Sequence, residues 1–170
     1  MADLKELHRT LRYLWATASS GFVLRRVPLE DQDDLLLVSF SDAAWANSPG
    51  GRSQAGLMVT LTTRRVLLQE ADASLLEWKS HRLKRVCRST LAAEAAAMDA
   101  VADHATFFGF LLSEAMNEKY RATQQDVPRI AVLAVTDCRS LYDTVRKTTA
   151  SMVTEKRTLV DICAIRRPAT

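Results

Sequence analysis

The segment of residues 90–116 constrains the fold most, because it is apolar along one side over its whole length. Steps of three and four residues connect Leu91, Glu94, Met98, Val101, Ala105, Phe108, Leu112 and Ala115, and all of these except Glu94 are apolar. This spacing places them on one face of a helix. Such a face must be buried against another element. We therefore predict a long core helix over residues 90–116 that lies close to a sheet.

Short apolar runs elsewhere predict the strands of that sheet. Runs of strand length, bounded by turn residues, lie at residues 35–40, 56–61, 75–80 and 130–136. The first three are close enough in sequence to be antiparallel neighbours, whereas the fourth follows the long helix as a parallel crossover would. Further helices are predicted over residues 3–16, 138–147 and 156–167. The pattern predicts an α/β fold class: a mixed sheet flanked by helices.

Two of the segments between these strands carry information about their connections. The sequence NSPGG at residues 47–51 predicts a turn. Residues 66–68 either extend the second strand or lie in the connection that follows it, and the pattern leaves both alternatives open.

Composition is that of an ordinary globular chain of 170 residues, with 48% hydrophobic and 25% charged residues. A net charge of +3 permits a nucleic-acid partner but does not require one. Cys87, Cys138 and Cys163 have neither disulfide-framework nor zinc-site spacing. The N-terminus is charged, and no run of 18 uncharged apolar residues occurs. We therefore expect an intracellular chain, in cytoplasm or nucleus, without a membrane span.

Glu94 is the exception on the apolar face of the long helix. The other acids of this segment, Asp99, Asp103 and Glu114, fall off that face. Glu94 follows Ser89 by five residues, whereas a capping box requires a spacing of three. Stabilisation of an acid in the first turns by the helix dipole remains an alternative.

Two aspartates follow predicted strands. Asp42 comes after the run 35–40, which we expect to stop at Ser41 and Asp42, and Asp137 comes after the run 130–136. Each alone has an alternative role as a cap or turn residue. Together with Glu94 they would form a protected carboxylate cluster, which requires a compensating charge. Mg²⁺ is the natural compensator, and two ions roughly 3.5–4 Å apart would suit phosphodiester hydrolysis.

Four stretches, in order, resemble the ribonuclease H domain at the end of the Pol polyprotein of copia-type LTR retrotransposons, and a fifth, ahead of them in the chain, resembles the helix that precedes that domain. They are LHRTLRYLWATASSGFVL, SDAAWANS with GRSQAGLMVTL behind it, EWKSHRLKRVCRSTLAAEAAAM, VTDCRSLYD and EKRTLVDICAIRR. They cover about residues 5–167. The resemblance implies a ribonuclease H-like fold, with three antiparallel strands and then a parallel one. It also implies metal-dependent cleavage of the RNA strand of RNA–DNA hybrids during reverse transcription.

The resemblance also implies roles for individual residues and partners. It carries the family's four acidic metal ligands onto Asp42, Glu94, Asp137 and Asp161, which would hold two Mg²⁺ ions, with Mn²⁺ as a substitute. Asp161 depends mainly on this resemblance. The implied partners are an RNA–DNA hybrid and the reverse transcriptase region of the same polyprotein.

The resemblance further implies a division of the chain. Residues 1–27 would form an N-terminal helix and a connection to the preceding polymerase region, and residues 28–170 the ribonuclease H-like domain. The family normally continues beyond the point that corresponds to Thr170, so the last helix is expected to be shortened.

A basic segment precedes the long helix and is predicted to contact nucleic-acid phosphates, together with two hydroxyl groups at the helix start. Its residues are Lys79, Arg82, Lys84, Arg85, Arg88, Ser89 and Thr90. A solvated charged segment and helix capping are the alternatives. Trp45 and Trp78 are interpreted as packing residues beside the sheet, with nucleotide stacking as the alternative.

The leading hypothesis is a metal-dependent endonuclease acting on RNA–DNA hybrids. Ala95, Cys138 and Leu159 stand where the family has tyrosine, asparagine and histidine. These departures favour a rival: a catalytically inactive ribonuclease H-like module of a decayed or domesticated element that binds nucleic acid or a partner protein. An integrase on the same fold is disfavoured. Integrases typically have a glutamate on a late helix as the last of their metal-binding acids, whereas here Glu94 is the second of the four candidate acids and the last is Asp161.

Overall fold

The computed structural model of the chain describes residues 2–21, 23–27, 34–124, 127–147 and 155–166. The strands are β1 (Leu35–Ser48), β2 (Arg52–Thr63), β3 (Ser74–Arg82) and β4 (Ala131–Val135). The α-helices are α1 (Ala2–Ala16), α2 (Thr90–Met116), α3 (Arg139–Arg146) and α4 (Lys156–Ile165). Short 3₁₀ helices lie at Arg64–Leu67 and Ala122–Gln124.

The described strands form one mixed sheet in the order β3-β2-β1-β4. The pairs β1–β2 and β2–β3 are antiparallel, and β4 joins β1 in parallel after the crossover through α2. The predicted fold class is confirmed: α/β, with three antiparallel strands, one parallel strand and flanking helices. This is the arrangement that the ribonuclease H resemblance implies.

β1 is longer than the sequence pattern predicts. The expected stop at Ser41 and Asp42 is wrong, because residues 41–44 remain paired with β2, and Asp42 lies opposite Gly56. Pairing with β4 ends earlier, where Phe40 lies opposite Val135. Asp42 is therefore inside a strand, but immediately past the end of its parallel neighbour.

The predicted turn after β1 is present. Gly50 and Gly51 have φ angles of 77° and 68°, a conformation that glycine adopts without a steric penalty. Before the turn, Ala46 also has a positive φ, of 51°, and its N–H donates to Ser53 Oγ at 3.1 Å. The β1–β2 register shifts in this region, between Ala44 and Ser48, as a bulge would produce. Of the two alternatives for residues 66–68, the connection is the one observed.

Helix α2 has the predicted bounds. Ser89 caps it, because its Oγ accepts the N–H of Ala92 at 3.1 Å. Glu94, Met98 and Val101 are buried as the spacing predicts, whereas Ala115 at the far end is exposed. The N-terminal half is also buried on its other sides, through Ala92, Ala93, Ala95 and Ala97. These small side chains allow α2 to lie close to β1 and β2, which it contacts.

The other predicted helices are also observed, within one or two residues of the expected bounds. Residue 167, at the predicted end of the last helix, lies outside the described residues. Among the described helices, α2 alone is long and apolar enough to cross a membrane by length and composition. Core helices of globular proteins have the same properties, so this is weak evidence for a membrane span.

Candidate metal centre

Three carboxylates converge where β1, α2 and β4 meet. Asp42 lies on β1, Glu94 lies near the start of α2, and Asp137 follows the end of β4. One carboxylate oxygen of each residue lies within 4.8 Å of the corresponding oxygens of the other two. Asp42 and Asp137 are exposed, whereas Glu94 is only 5% exposed. The cluster therefore has one buried member and two members that solvent reaches; we call these residues the carboxylate triad.

Local structure explains how the triad is assembled. The end of β4 leaves the adjacent part of β1 open beside Asp42. Asp137 lies in the short turn between β4 and α3, where the N–H of Cys138 donates to Thr136 Oγ1 at 3.1 Å. Glu94 projects from the buried part of α2 toward β1, where its carboxylate accepts a hydrogen bond from the backbone N–H of Ala43.

The electrostatics of the triad are those of an uncompensated site. Burial, and then the negative charges of Asp42 and Asp137, raise the pKa of Glu94 from 4.5 to about 7. The hydrogen bond from Ala43 opposes this shift, because it favours the charged form. Glu94 Oε2 is buried and has no hydrogen-bond partner among the described residues. A positive charge at this place would reduce the repulsion among the three carboxylates and provide a partner for Glu94 Oε2.

The donor set fits a hard divalent cation. Oxygens at about 2.1 Å from Mg²⁺ lie at most about 4.2 Å apart, and those at about 2.5 Å from Ca²⁺ at most about 5 Å apart. The triad oxygens, within 4.8 Å of one another, are therefore close to the size of such a ligand shell. Two exposed carboxylates leave the remaining coordination positions open to water or a phosphate oxygen. The arrangement has the features of an open site that binds a cation and a substrate together.

Asp161, the fourth predicted acid, is not part of this cluster. Its side chain is 9% exposed and forms an ion pair with Arg85, which lies in the segment between β3 and α2. The hydrogen bond to Asp161 is the main cause of a raised pKa at Arg85. Asp99 on α2 has a raised pKa, chiefly through burial and then through the charges of Asp103 and Asp161. Asp161 thus faces the β3–α2 segment and Asp99.

We expect the Arg85–Asp161 pair to couple energetically, because Asp161 is almost fully desolvated. A double-mutant cycle with Arg85→Ala and Asp161→Asn should give a coupling energy of about 2 kcal/mol in urea unfolding. The exposed pair Arg139–Asp143, 3.6 Å apart on α3, is the matched control and should couple by at most about 0.5 kcal/mol. Equal coupling in the two pairs would contradict the assignment.

The predicted nucleic-acid-binding residues divide into two groups. The exposed members are Lys79, Arg82, Lys84, Arg88, Ser89 and Thr90. Arg85 is half-buried and engaged with Asp161. Ser89 Oγ is the helix cap. The exposed cations lie on β3 and on the segment leading into α2, and Glu94 lies about one helical turn after the start of α2.

Some features of this region were not evident from the sequence. The partner of Arg85 lies 76 residues away, and no local pattern links the two. Trp45 donates through Nε1 to the carbonyl oxygen of Cys87 at 2.9 Å and is 48% exposed, and Trp78 is 60% exposed. His104 Nδ1 lies 2.7 Å from Glu77 Oε2, so this histidine has an acidic partner on β3.

Comparisons with known proteins give solved structures only. No family model and no curated protein matches the sequence. RNase H1 from the halophilic archaeon Halobacterium salinarum NRC-1 is similar with a TM-score of 0.44 and 16% identity, over 77% of this chain and 76% of that chain. Foamy viral protease-reverse transcriptase, in complex with an RNA/DNA hybrid, has a TM-score of 0.40 and 12% identity, over 86% of this chain and 17% of that one.

The native prototype foamy virus protease-reverse transcriptase is also similar, with a TM-score of 0.29 and 14% identity. It is matched over 85% of this chain and 22% of its own length. The chain therefore spans less than a quarter of both viral proteins.

Proposed function

We propose that this chain is a divalent-metal-dependent nuclease that hydrolyses the RNA strand of RNA–DNA hybrids. The main support for this proposal is the convergence of Asp42, Glu94 and Asp137. The carboxylate of Glu94 is buried there, and its pKa is raised to about 7. Groups with strongly shifted pKa values occur preferentially at functional sites. The sequence resemblance to copia-type ribonuclease H domains, which includes all three residues, supports the choice of substrate.

The roles of the triad follow from their exposure. Glu94 is fixed by the packing of α2 and by the Ala43 N–H, so it would anchor the site. Asp42 and Asp137 face solvent. They would therefore bind the cation on the side from which the substrate approaches. Mg²⁺ or Mn²⁺, when bound, would supply charge neutralisation at the phosphate and lower the pKa of a water molecule. The triad carboxylates act as ligands, without a covalent intermediate.

The exposed cations of β3 and of the β3–α2 segment would bind the hybrid. Lys79, Arg82, Lys84 and Arg88 can contact phosphates without reading sequence. In this proposal Asp161 is a positioning residue, because its carboxylate is engaged by Arg85 rather than directed to the triad. The pair ties α4 to the basic segment.

A reverse transcriptase partner is proposed mainly on the sequence resemblance. Helix α1 adds one observation: it leaves an apolar stripe more than half exposed, formed by Leu4, Leu7, Leu11 and Leu14. An exposed stripe of this kind supports packing of α1 against a preceding region of a longer protein.

One assay tests the enzymatic proposal. The chain is incubated with an RNA–DNA hybrid labelled on the RNA strand, with Mg²⁺ or with EDTA, beside Asp137→Asn. We expect Mg²⁺-dependent cleavage of the hybrid RNA by the wild-type chain, strong loss in Asp137→Asn, and no cleavage of double-stranded DNA. Hybrid binding without cleavage in both proteins would overturn the proposal in favour of an inactive binding module. Equal cleavage by both would show that the activity does not come from this site.

A further inference from the structure

A row of apolar side chains crosses the sheet on the face opposite α2. Trp78 on β3 is paired with Met58 on β2, Met58 with Phe40 on β1, and Phe40 with Val135 on β4. Register partners on neighbouring strands point to the same side of a sheet. The alternate residues Leu57 and Val59 belong to the core cluster under α2, so this row faces the other way.

The row is open to solvent. Trp78 is 60% exposed, Phe40 37% and Met58 36%. Of the described helices, α2 packs on the sheet from the opposite side, and α3 and α4 pack against α2 and each other. Two aromatic rings and a thioether, exposed in neighbouring register positions on one face of the sheet, form a surface on which planar rings can stack.

The row lies beside the carboxylate triad. Phe40 and Val135 each precede a triad residue by two positions, so the row and the acids are about 7 Å apart along β1 and β4. The next row of register partners is Ser80, Gly56 and Asp42. Gly56 carries no side chain, and a Cβ atom there would meet only the Asp42 carbonyl oxygen, at 3.9 Å. A shallow strip with little side-chain bulk therefore joins the β3 edge to Asp42.

Charge decides which kind of partner fits. On β3 the alternating exposed residues are Trp78, Ser80 and Arg82, so a cation follows the aromatic ring by about 13 Å on the same side. Ser80 Oγ accepts a hydrogen bond from Gln54 Nε2 at 3.0 Å, and Gln54 pairs with Arg82. An apolar row bordered by hydroxyl, amide and guanidinium groups suits bases and phosphates better than an apolar protein surface.

We propose that the row Trp78–Met58–Phe40 is a stacking surface for unpaired nucleotides of a nucleic acid whose backbone continues to the carboxylate triad. Bases inside a duplex expose their edges, whereas unpaired bases offer their faces to aromatic side chains. The ligand is therefore a single-stranded segment, such as an overhang next to a hybrid. This inference rests on the proposed function for its nucleic-acid partner, but it assigns a different ligand and different residues.

Binding of a fluorescein-labelled, single-stranded oligouridine of about ten nucleotides tests the proposal by fluorescence anisotropy in EDTA, without cleavage. We expect Trp78→Ala to weaken binding about tenfold or more, because stacking on an aromatic ring contributes strongly per base. Trp78→Phe, which keeps a ring, should retain most of the affinity. Trp15→Ala removes a tryptophan that is 87% exposed on α1, and as the matched control it should change affinity by less than about twofold. Circular dichroism verifies that each variant is folded.

The outcomes separate this inference from the nuclease proposal. Equal affinity of Trp78→Ala and Trp15→Ala for the oligonucleotide would overturn the stacking surface, even if hybrid cleavage persists. A wild-type chain that does not bind the oligonucleotide but self-associates, with the self-association lost in Trp78→Ala, would also overturn the proposal. That result would assign the row to contact with a second copy of the chain. Trp78-dependent binding in a protein that cleaves no hybrid would uphold the surface and overturn only the nuclease.

Discussion

Replacing Glu94 by glutamine is expected to lower Mg²⁺-dependent hybrid cleavage by about a thousandfold. Glutamine preserves the size of the side chain and one oxygen, but it removes the buried negative charge that would hold the cation together with Asp42 and Asp137. A bound metal ion contributes several kcal/mol of transition-state stabilisation, and losing about 4 kcal/mol of it corresponds to a factor of about a thousand in rate. Initial rates on a labelled hybrid, at equal protein and Mg²⁺ concentrations, give the comparison.

Asp99→Asn is the matched control for that substitution. Asp99 lies on the same helix, is half-buried and has a raised pKa, but it does not belong to the triad. We expect its cleavage rate to stay within about threefold of the wild-type rate. Comparable losses in Glu94→Gln and Asp99→Asn would mean that general electrostatics, rather than the triad, control the reaction.

The second large effect concerns the pH dependence of folding in the metal-free protein. The pKa of Glu94 is about 7 in the folded state against 4.5 as the ordinary value. Between these pH values the folded state holds a proton that the unfolded state has lost, so the free energy of unfolding falls as pH rises. The contribution is fully present below pH 4.5 and is lost above pH 7. A difference of this size corresponds to about 3 kcal/mol.

Urea unfolding in EDTA between pH 5 and pH 8 measures this slope. Glu94→Gln cannot ionise, so it should remove most of the slope and be more stable than the wild-type chain at pH 8. Asp143→Asn, on the exposed surface of α3, should leave the slope unchanged. Mg²⁺ at pH 8 should stabilise the wild-type chain and have little effect on Glu94→Gln. An unchanged slope in Glu94→Gln would contradict the assigned origin of the shift.

Local periodicity was sufficient to predict the helix and its unusual acid. The bounds of α2 and the burial of Glu94 follow from apolar residues spaced by three and four positions, which depend only on neighbours in sequence. The fold class followed because strand-length runs on either side of such a helix have few ways to pair.

The features that the sequence did not reveal are long-range. β1 continues past Asp42 because β2 pairs with residues 41–44. The local sequence SDAAW contains no pattern that predicts this pairing. Asp161 pairs with Arg85 because α4 packs against α2 near the β3–α2 segment, and a pattern of single residues cannot specify such an approach. The apolar row at Trp78 is visible only once the register of all the strands is known.

We propose that Asp42, Glu94 and Asp137 together hold a divalent cation. Isothermal titration of the metal-free chain with Mn²⁺, and then with Mg²⁺, tests it without reference to catalysis. We predict measurable binding that is lost in Asp42→Asn, Glu94→Gln and Asp137→Asn and retained in Asp161→Asn. Binding that survives all three triad substitutions, or that disappears in Asp161→Asn with the fold intact, would contradict the account.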